Sequence, residues 1–397
     1  MFDQRPIKHS LFGVDAEDST NRTADFDPTN DPAGTIFTFD SRLIRSKVGI
    51  SFISAQKACD FIQQELSEDA AIDDVVRETK NIWNEKVLSR VTTTEENLAD
   101  LQSLYTSLYV MHQLPSNRTG ENSIWQSGEP YFDDIYTLWD LFRTSTPLLQ
   151  ILQPQAYQQF IRSLIDTWRN DGYLPDGRVV NYNGPVEGGS NANMVLADAY
   201  VKGAQGSINW TDGYAAIVKD AEVTPPNHFD PRADDASTKE GRGALPDWLE
   251  FGFITTAFSR SVSNGVEYSG NDFALSQVAR GEGDRSDVEK YLQRSRQWRN
   301  YWNPDVESLG FRGFAMPRNT TGGFVPHDPL DGGGYWRDPF YQASPWEYSL
   351  NAHHDMTTLV KLCGGPERFV SRLQALFEYE IDPADPQVRI FGMYGRD

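Results

Sequence analysis

The stretch PQAYQQFIRSLIDTW (154–168) decides the fold. Tyr157, Phe160, Ile161, Leu164, Ile165 and Trp168 recur at helical spacing and share one face. Pro154 suits a first helical turn, and Asn170-Asp171-Gly172 supplies the stop. The same periodicity spreads in both directions. Upstream it runs through Ile72, Val75, Val76, Ile82, Trp83, Val87 and Leu88, then through Leu98, Leu101, Leu104, Tyr105 and Leu108. Thr93 with Glu96 reads as the capping box of that second helix. A third stripe, Ile135, Leu138, Trp139 and Phe142, is interrupted at Pro147. Downstream, helices are predicted over 191–203, 212–222, 265–280, 286–302, 347–362 and 366–378, with Ser286 and Glu289 capping the fourth and Pro304 ending it. Before Ala55 the pattern differs. TIFTFD (35–40) and KVGISFIS (47–54) read as short strands, and residues 1–34 as polar loop or a partial domain.

The connections are uneven. Segments 115–133, 173–190, 223–262 and 303–345 are long and rich in Gly, Pro, Asn and aromatics. Connections above ~12–15 residues in a helical domain usually carry function. About ten helices joined alternately by short and long loops suggest an α/α toroid with the long loops gathered at one rim. A plain bundle is the alternative, but it needs no such loops.

Charge narrows the partners. The 397 residues hold 57 Asp and Glu against 36 Lys and Arg, a net −21. That field repels duplexes and anionic headgroups, so nucleic acid and membrane surfaces are excluded as expected partners. Mean hydropathy is −0.55 and no apolar run approaches the ~18 residues of a membrane span. Cys59 and Cys363 are too few for a disulfide framework. The opening MFDQRPIKHSLFG has no apolar segment of the signal-peptide kind, and the N-glycosylation sequons at Asn21, Asn117, Asn209 and Asn319 give secretion weak support.

Nucleophile elbow, P-loop, H-E-x-x-H and dinucleotide fingerprints are absent. His353-His354-Asp355 invites a metal reading, but adjacent helical residues point about 100° apart, which favours capping or support roles. YTLWDLFR (136–143) places an indole, a carboxylate and a guanidinium together: Trp139, Asp140 and Arg143. Trp139 alone suits a core. With Asp140 and Arg143 it also suits a sugar, whose apolar face stacks on the ring while the ionic groups bind hydroxyls. YQASPWEYSLNAHHDM (341–356) holds Trp346, Glu347, Tyr348 and His354. Glu347 fits either a site acid or a first-turn residue favoured by the helix dipole.

VGISFIS (48–54), Trp83-Asn84, LYTSLY (104–109), LWDLFR (138–143), LADAYVKG (196–203), VEYSGNDFALSQVA (266–279), RSRQWRNYWNP (294–304), SPWEYSLNAHHDM (344–356) and LCGGPERFV (362–370) occur in this order. Together they resemble glycoside hydrolase family 92, the calcium-dependent α-mannosidases, and most of all its fungal members. The resemblance covers about residues 35–380.

It implies a mainly α fold: an incomplete (α/α)6 toroid over 55–397, preceded over 1–54 by a short β remnant of an N-terminal β-sandwich and a linker. It implies removal of terminal α-linked mannose, commonly 1,2-linked, with inversion. Ca2+ is the expected cofactor, and mannose-containing glycans or glycoproteins are the expected partners. In inverting enzymes the acid and base carboxyls stand ~6.5–9.5 Å apart. Carried over position by position, Asp140 matches the aspartate that binds mannose, with Trp139 and Arg143 supporting it; Trp346 is a further candidate contact, and Glu267, Asp272 and His354 are candidates for the rim, with a structural role inside the helix the favoured alternative for Glu267 and Asp272.

Two departures follow. The family's acid is a Glu opening a segment like E-G-x-x-W-(Q/E)-Y-S, and this chain has Gln342 there, while Glu347 matches the later position. An amide cannot donate a proton, and losing general-acid help costs ~10²–10⁴-fold. An introduced substitution, a natural pseudoenzyme and transfer of the acid role to Glu347 are the competing accounts. The G-N-E-P-type calcium segment and the base aspartates of the family are expected beyond the point matching Asp397. The expectation is therefore an extracellular or secretory-pathway mannosidase, impaired in this chain. The rival is a non-catalytic glycan-binding remnant, and a glucoamylase-like toroid enzyme is a third reading.

Overall fold

The computed structural model describes residues 2–14, 22–23, 33–67, 69–184, 186, 188–204, 206–226, 241–333, 338–378, 380–382 and 385–389. Asn21 and part of the Gly-rich segment before Asp338 fall outside them. The chain divides into two units, Met1–Thr79 and Lys80–Asp397.

The first unit holds an antiparallel sheet in the order β2-β1-β3, made of β1 (Lys8–Val14), β2 (Arg22–Thr23) and β3 (Ala33–Thr38). β3 is the predicted TIFTFD strand, and β1 comes from the region read as polar loop; its register runs from Lys8 opposite Thr38 to Gly13 opposite Ala33. KHSLFGV carries few β-branched residues, so its strand character comes from pairing rather than propensity. The predicted strand over 47–54 forms no ladder. Instead Gly49 lies against helix α1 (Ala55–Glu65): a Cβ there would stand 2.0 Å from the Ala58 carbonyl oxygen. Ser54 caps α1 by accepting from Lys57 N–H at 3.2 Å. Helix α2 (Ile72–Lys86) follows.

In the second unit α3 (Leu98–Met111) opens one turn later than its predicted box. The Thr93 hydroxyl accepts from Glu95 N–H and makes a local turn, and Asn97 is the true cap, accepting from Ala99 N–H at 3.0 Å. β4 (Ser116–Asn117) and β5 (Phe132–Asp133) bracket the first long loop. α4 (Leu138–Leu141) and α5 (Ser145–Leu152) follow. α6 (Pro154–Asp171) is the helix that the opening stretch predicts. Its Tyr157, Phe160, Ile161, Leu164 and Ile165 are buried, each worth ~1.5–3 kcal/mol of transfer. Gly172 ends it at φ 92°, a left-handed conformation that glycine adopts at least cost.

The hairpin β6 (Gly177–Val179) with β7 (Tyr182–Gly184) occupies the second long loop. α7 (Ala192–Val201), α8 (Trp210–Glu222), α9 (Leu245–Phe251), α10 (Ser261–Glu282) and α11 (Arg285–Arg294) come next. The predicted 286–302 helix stops at Arg294, a 3-10 turn covers Gln297–Tyr301, and β8 (Trp302–Ser308) pairs with β9 (Phe311–Ala315). Asp284, not Ser286, caps α11, accepting from Asp287 N–H at 2.9 Å. The predicted 347–362 helix is broken into α12 (Pro345–Tyr348), a 3-10 turn and α13 (Met356–Leu362). α14 (Pro366–Glu378) spans the predicted bounds, and β10 (Glu380–Asp382) pairs with β11 (Asp385–Arg389).

α10 organises this unit. It packs on α7, α8 and α11 and is buried along most of its length, although it is rich in Ser, Asn and charged residues. Such a helix is stable only when its polar groups find partners inside. Asn271 Oδ1 accepts from Ser190 N–H at 3.0 Å, Ser269 Oγ from Trp298 N–H at 2.9 Å, and Ser263 Oγ from Tyr341 N–H at 2.8 Å. Gly265 lets Tyr301 approach: a Cβ would sit 1.9 Å from its hydroxyl. That hydroxyl accepts from Ile254 N–H and donates to the Ser261 carbonyl.

Candidate active site

Two of the long loops meet at the start of α10. Arg260 donates to the Val186 carbonyl at 3.0 Å, and Val262 N–H donates to the Pro339 carbonyl at 2.9 Å. Beside this junction lies a cavity of about 330 Å³ lined by Trp139, Arg143, Gln342, Ala343, Glu347, Tyr348, Leu350, Asn351 and Leu376.

The short helix α4 delivers Trp139 and, just past its end, Arg143. Thr137 caps it by accepting from Trp139 N–H at 3.2 Å, and a hydrogen bond of 2.7 Å from Leu138 N–H to the Asp176 carbonyl ties it to the next loop. The Trp139 ring meets Tyr341 edge-on with centroids 5.4 Å apart. Gly188 passes so close that a Cβ would stand 2.7 Å from Trp139 Nε1.

Arg143 is held on several sides. Nε donates to the Trp139 carbonyl at 3.0 Å and Nη2 to Glu267 at 2.8 Å, while Nη1 reaches Asn351 Oδ1 at 3.4 Å. The guanidinium also lies 5.1 Å from the Trp139 ring. Burial alone would favour loss of its proton; the Glu267 carboxylate together with Tyr348 and Asp140 outweighs this and raises its pKa. Glu267 is 4% exposed and receives a second bond from Asn351 Nδ2 at 2.9 Å.

Gln342 sits in the left-handed region, φ 46°, between the buried Tyr341 and Ala343. For a residue with a Cβ this conformation costs ~1–3 kcal/mol and persists only where packing enforces it. Here Tyr341 N–H is tied to Ser263 on α10, and the Ala343 carbonyl accepts from Gly333 N–H at 3.1 Å. Glu347 closes the capping box of α12: its Oε2 accepts from Ser344 N–H at 2.8 Å and from Ser344 Oγ at 3.1 Å. Burial raises its pKa against those two hydrogen bonds. The Tyr348 hydroxyl is near Ser263 and Trp139 without hydrogen-bond geometry to either, and burial pushes its pKa far up, so it is neutral.

The structure thus brings Trp139, Arg143, Gln342 and Glu347 together across about 200 residues of sequence. Asp140 does not line the cavity; partial desolvation of its carboxyl by neighbouring residues raises its pKa more than Arg143 lowers it. The ion pair of Arg143 is with Glu267 rather than with Asp140.

The structure places four of the candidates away from the cavity lining. Trp346 is fully buried, ringed by Phe311, Phe314 and the Arg372 guanidinium, with Nε1 bonded to Ser308 at 3.1 Å, and it does not line this cavity. Asp272 is no rim residue either. It is fully buried, with Arg242 at 2.6 Å, Arg294 at 3.0 Å and Trp248 Nε1 at 3.0 Å. His354 packs on Phe273, donates from Nε2 to the Ser295 carbonyl at 2.8 Å, and has its pKa lowered by burial. Glu267 is buried and does not line the cavity; Gly188 and Gly189 lie against its side chain, where a Cβ at Gly189 would stand 2.7 Å from Glu267 Cβ. Sequence reasoning missed Asn351 altogether; its only signal was its place two residues before the histidine pair.

Among the described residues no three His, Cys, Asp or Glu side chains converge to hold a metal ion. Among the described residues lining the cavity the carboxylate is Glu347, and its Oε2 is committed to Ser344. Among the described residues these donors do not fit a calcium ion.

The family model described as the glycosyl hydrolase family 92 catalytic domain matches residues 57–394. An uncharacterized secreted glycosidase of Arthroderma benhamiae is 32% identical over 380 residues, taking in 88% of this chain and 44% of that protein. An inverting family 92 mannosidase of Bacteroides thetaiotaomicron has a similar structure, with a TM-score of 0.76 at 21% identity over 95% of this chain and 49% of that one. A family 92 α-mannosidase from the same organism, in complex with mannoimidazole, gives 0.74 at 18% identity over 96% and 49%. The chain spans about half the length of these relatives. It is mainly helical, with the toroid fold of those structures.

Proposed function

The chain belongs to glycoside hydrolase family 92, and on that premise we propose that the cavity beside α10 binds a terminal α-linked mannose, 1,2-linked by preference, for hydrolysis with inversion. The observation that carries the reading is the convergence of Trp139, Arg143, Gln342 and Asn351 on one hexose-sized space. The indole offers a face for the apolar side of the sugar. Arg143 and Asn351 offer hydrogen bonds to its hydroxyls, and the Glu267 anchor fixes their direction before the sugar arrives.

Gln342 stands at the position of the proton donor. Its amide can orient the glycosidic oxygen by donating a hydrogen bond, but it cannot transfer a proton. Glu347 has a pKa raised by burial, which suits an acid, but its capping bonds favour the carboxylate. We therefore assign the acid position to residue 342, with Glu347 as a support for α12. The activity of the chain as it stands is correspondingly low, and binding without turnover is the second reading that Gln342 favours. The relative described as secreted supports a secretory-pathway setting. No helix among the described residues is long and apolar enough to cross a membrane.

The test is hydrolysis of an aryl α-mannoside by the chain and by Gln342→Glu, each with calcium and with a chelator. The proposal expects a gain of ~10²–10⁴ in kcat for Gln342→Glu. No gain, with mannoside binding intact in both, would establish the binding reading instead. Preferential release of glucose would point to a different hydrolase class.

A further inference from the structure

Asn117, Asn209 and Asn319 each head an Asn-x-Thr triplet, closed by Thr119, Thr211 and Thr321. From their geometry we infer that these three asparagines are acceptors for N-linked glycans, an inference that rests on the secretory-pathway reading given above. The attachment atom is Nδ2. A glycan added there must be accommodated by the folded chain, so at least one Nδ2 hydrogen has to be free of internal hydrogen bonds while its neighbourhood stays open.

All three sites meet that demand in the same way: the oxygen of the amide is engaged and the nitrogen is not. Asn117 Oδ1 accepts from Thr119 N–H at 3.1 Å and from Thr119 Oγ1 at 2.7 Å. Asn319 repeats the arrangement with Thr321, at 3.0 Å and 2.7 Å, and adds Gly323 N–H at 2.9 Å. Asn209 Oδ1 caps α8, accepting from Asp212 N–H at 3.1 Å. Among the described residues none of the three Nδ2 atoms donates a hydrogen bond to the protein. Asn117 and Asn209 are exposed, Asn319 is half-buried, and all three threonines are exposed.

The chemistry is compatible with these roles. An N-glycosidic bond replaces one Nδ2 hydrogen and leaves Oδ1 an amide oxygen, so both turns and the cap survive the modification. The oligosaccharide comes from the lipid-linked donor of the secretory pathway, and the carrier pyrophosphate leaves. The glycans therefore add hydrophilic bulk without demanding rearrangement of the loops that bear them.

The experiment translates the full chain behind a heterologous secretory leader in the presence of microsomes and follows the protease-protected fraction. Peptide-N-glycosidase digestion in heavy-oxygen water, then peptide mass spectrometry, reads Asn-to-Asp conversion site by site. Conversion is expected at 117, 209 and 319, and each of Asn117→Gln, Asn209→Gln and Asn319→Gln should remove one glycan step on a gel. Thr119→Ser and Thr321→Ser should keep their steps. Protected chain with unconverted asparagines at these positions would overturn the inference. Analysis of the protein recovered from its native culture medium separates the two claims. Absence from the medium with converted sites in microsomes would sink the secretory reading alone.

Discussion

Helix α10 carries two buried carboxylates, Glu267 and Asp272, with different partners and different work. Asp272 is clamped by two guanidinia, Arg242 and Arg294, and by the Trp248 indole, all part of the packed interior. Glu267 holds one guanidinium and one amide, Arg143 and Asn351, and both of these face the cavity. The two sites use the same chemistry and the same backbone. The first spends its hydrogen bonds on joining helices, while the second fixes side chains that other molecules can reach. Burial of an acid does not by itself mark a site; where its partners point does.

The largest effect should come from Asp272→Ala. It leaves two arginines without their shared anion in the interior, and removing one partner of a buried ion pair costs ~3–5 kcal/mol. Urea unfolding followed by fluorescence measures it, and a loss below ~1 kcal/mol would break the comparison. Glu267→Gln should separate the two regions. The amide still accepts from Arg143 but loses charge, so stability should fall by ~1–3 kcal/mol, less than for Asp272→Ala. Affinity for methyl α-mannoside should fall by ~10-fold, or about 1.4 kcal/mol. Equal unfolding losses with unchanged affinity would show that Glu267 only joins helices.

A smaller effect sharpens the comparison on another face of the same helix. His354 is half-buried against Phe273 and its folded pKa lies below the ordinary 6.5. Below pH 6.5 the unfolded chain takes up a proton that the folded site resists, so stability should decline as pH falls through that value. His354→Gln should flatten that part of the stability profile. An unchanged slope would mean the site accommodates the charge.

Much of this was readable beforehand. The amphipathic run at 154–168 gave α6 to within a few residues, since a wide apolar stripe with a proline start and a glycine stop allows little else. Strand β1 was not legible, because its seven residues pair through backbone groups and show no apolar alternation. The 286–302 segment failed for another reason: its apolar residues Trp298, Tyr301 and Trp302 are buried from a tight turn and a strand that helical periodicity cannot distinguish. At the site, Trp139 and Arg143 could be found from residue type and spacing. Trp346 was misread because an indole next to a carboxylate looks alike in a core and in a cleft; only packing against Phe311, Phe314 and Arg372 tells them apart. The Arg143–Glu267 pair spans long-range contacts that no local pattern encodes.

That pair of tryptophans offers the most direct measurement. Calorimetric titration of methyl α-mannoside into the chain, into Trp139→Ala and into Trp346→Phe asks which indole meets the sugar. The account predicts binding by the parent chain, loss of that binding in Trp139→Ala, and unchanged affinity in a folded Trp346→Phe. Binding that survives Trp139→Ala, or no binding by the folded parent chain, would contradict it.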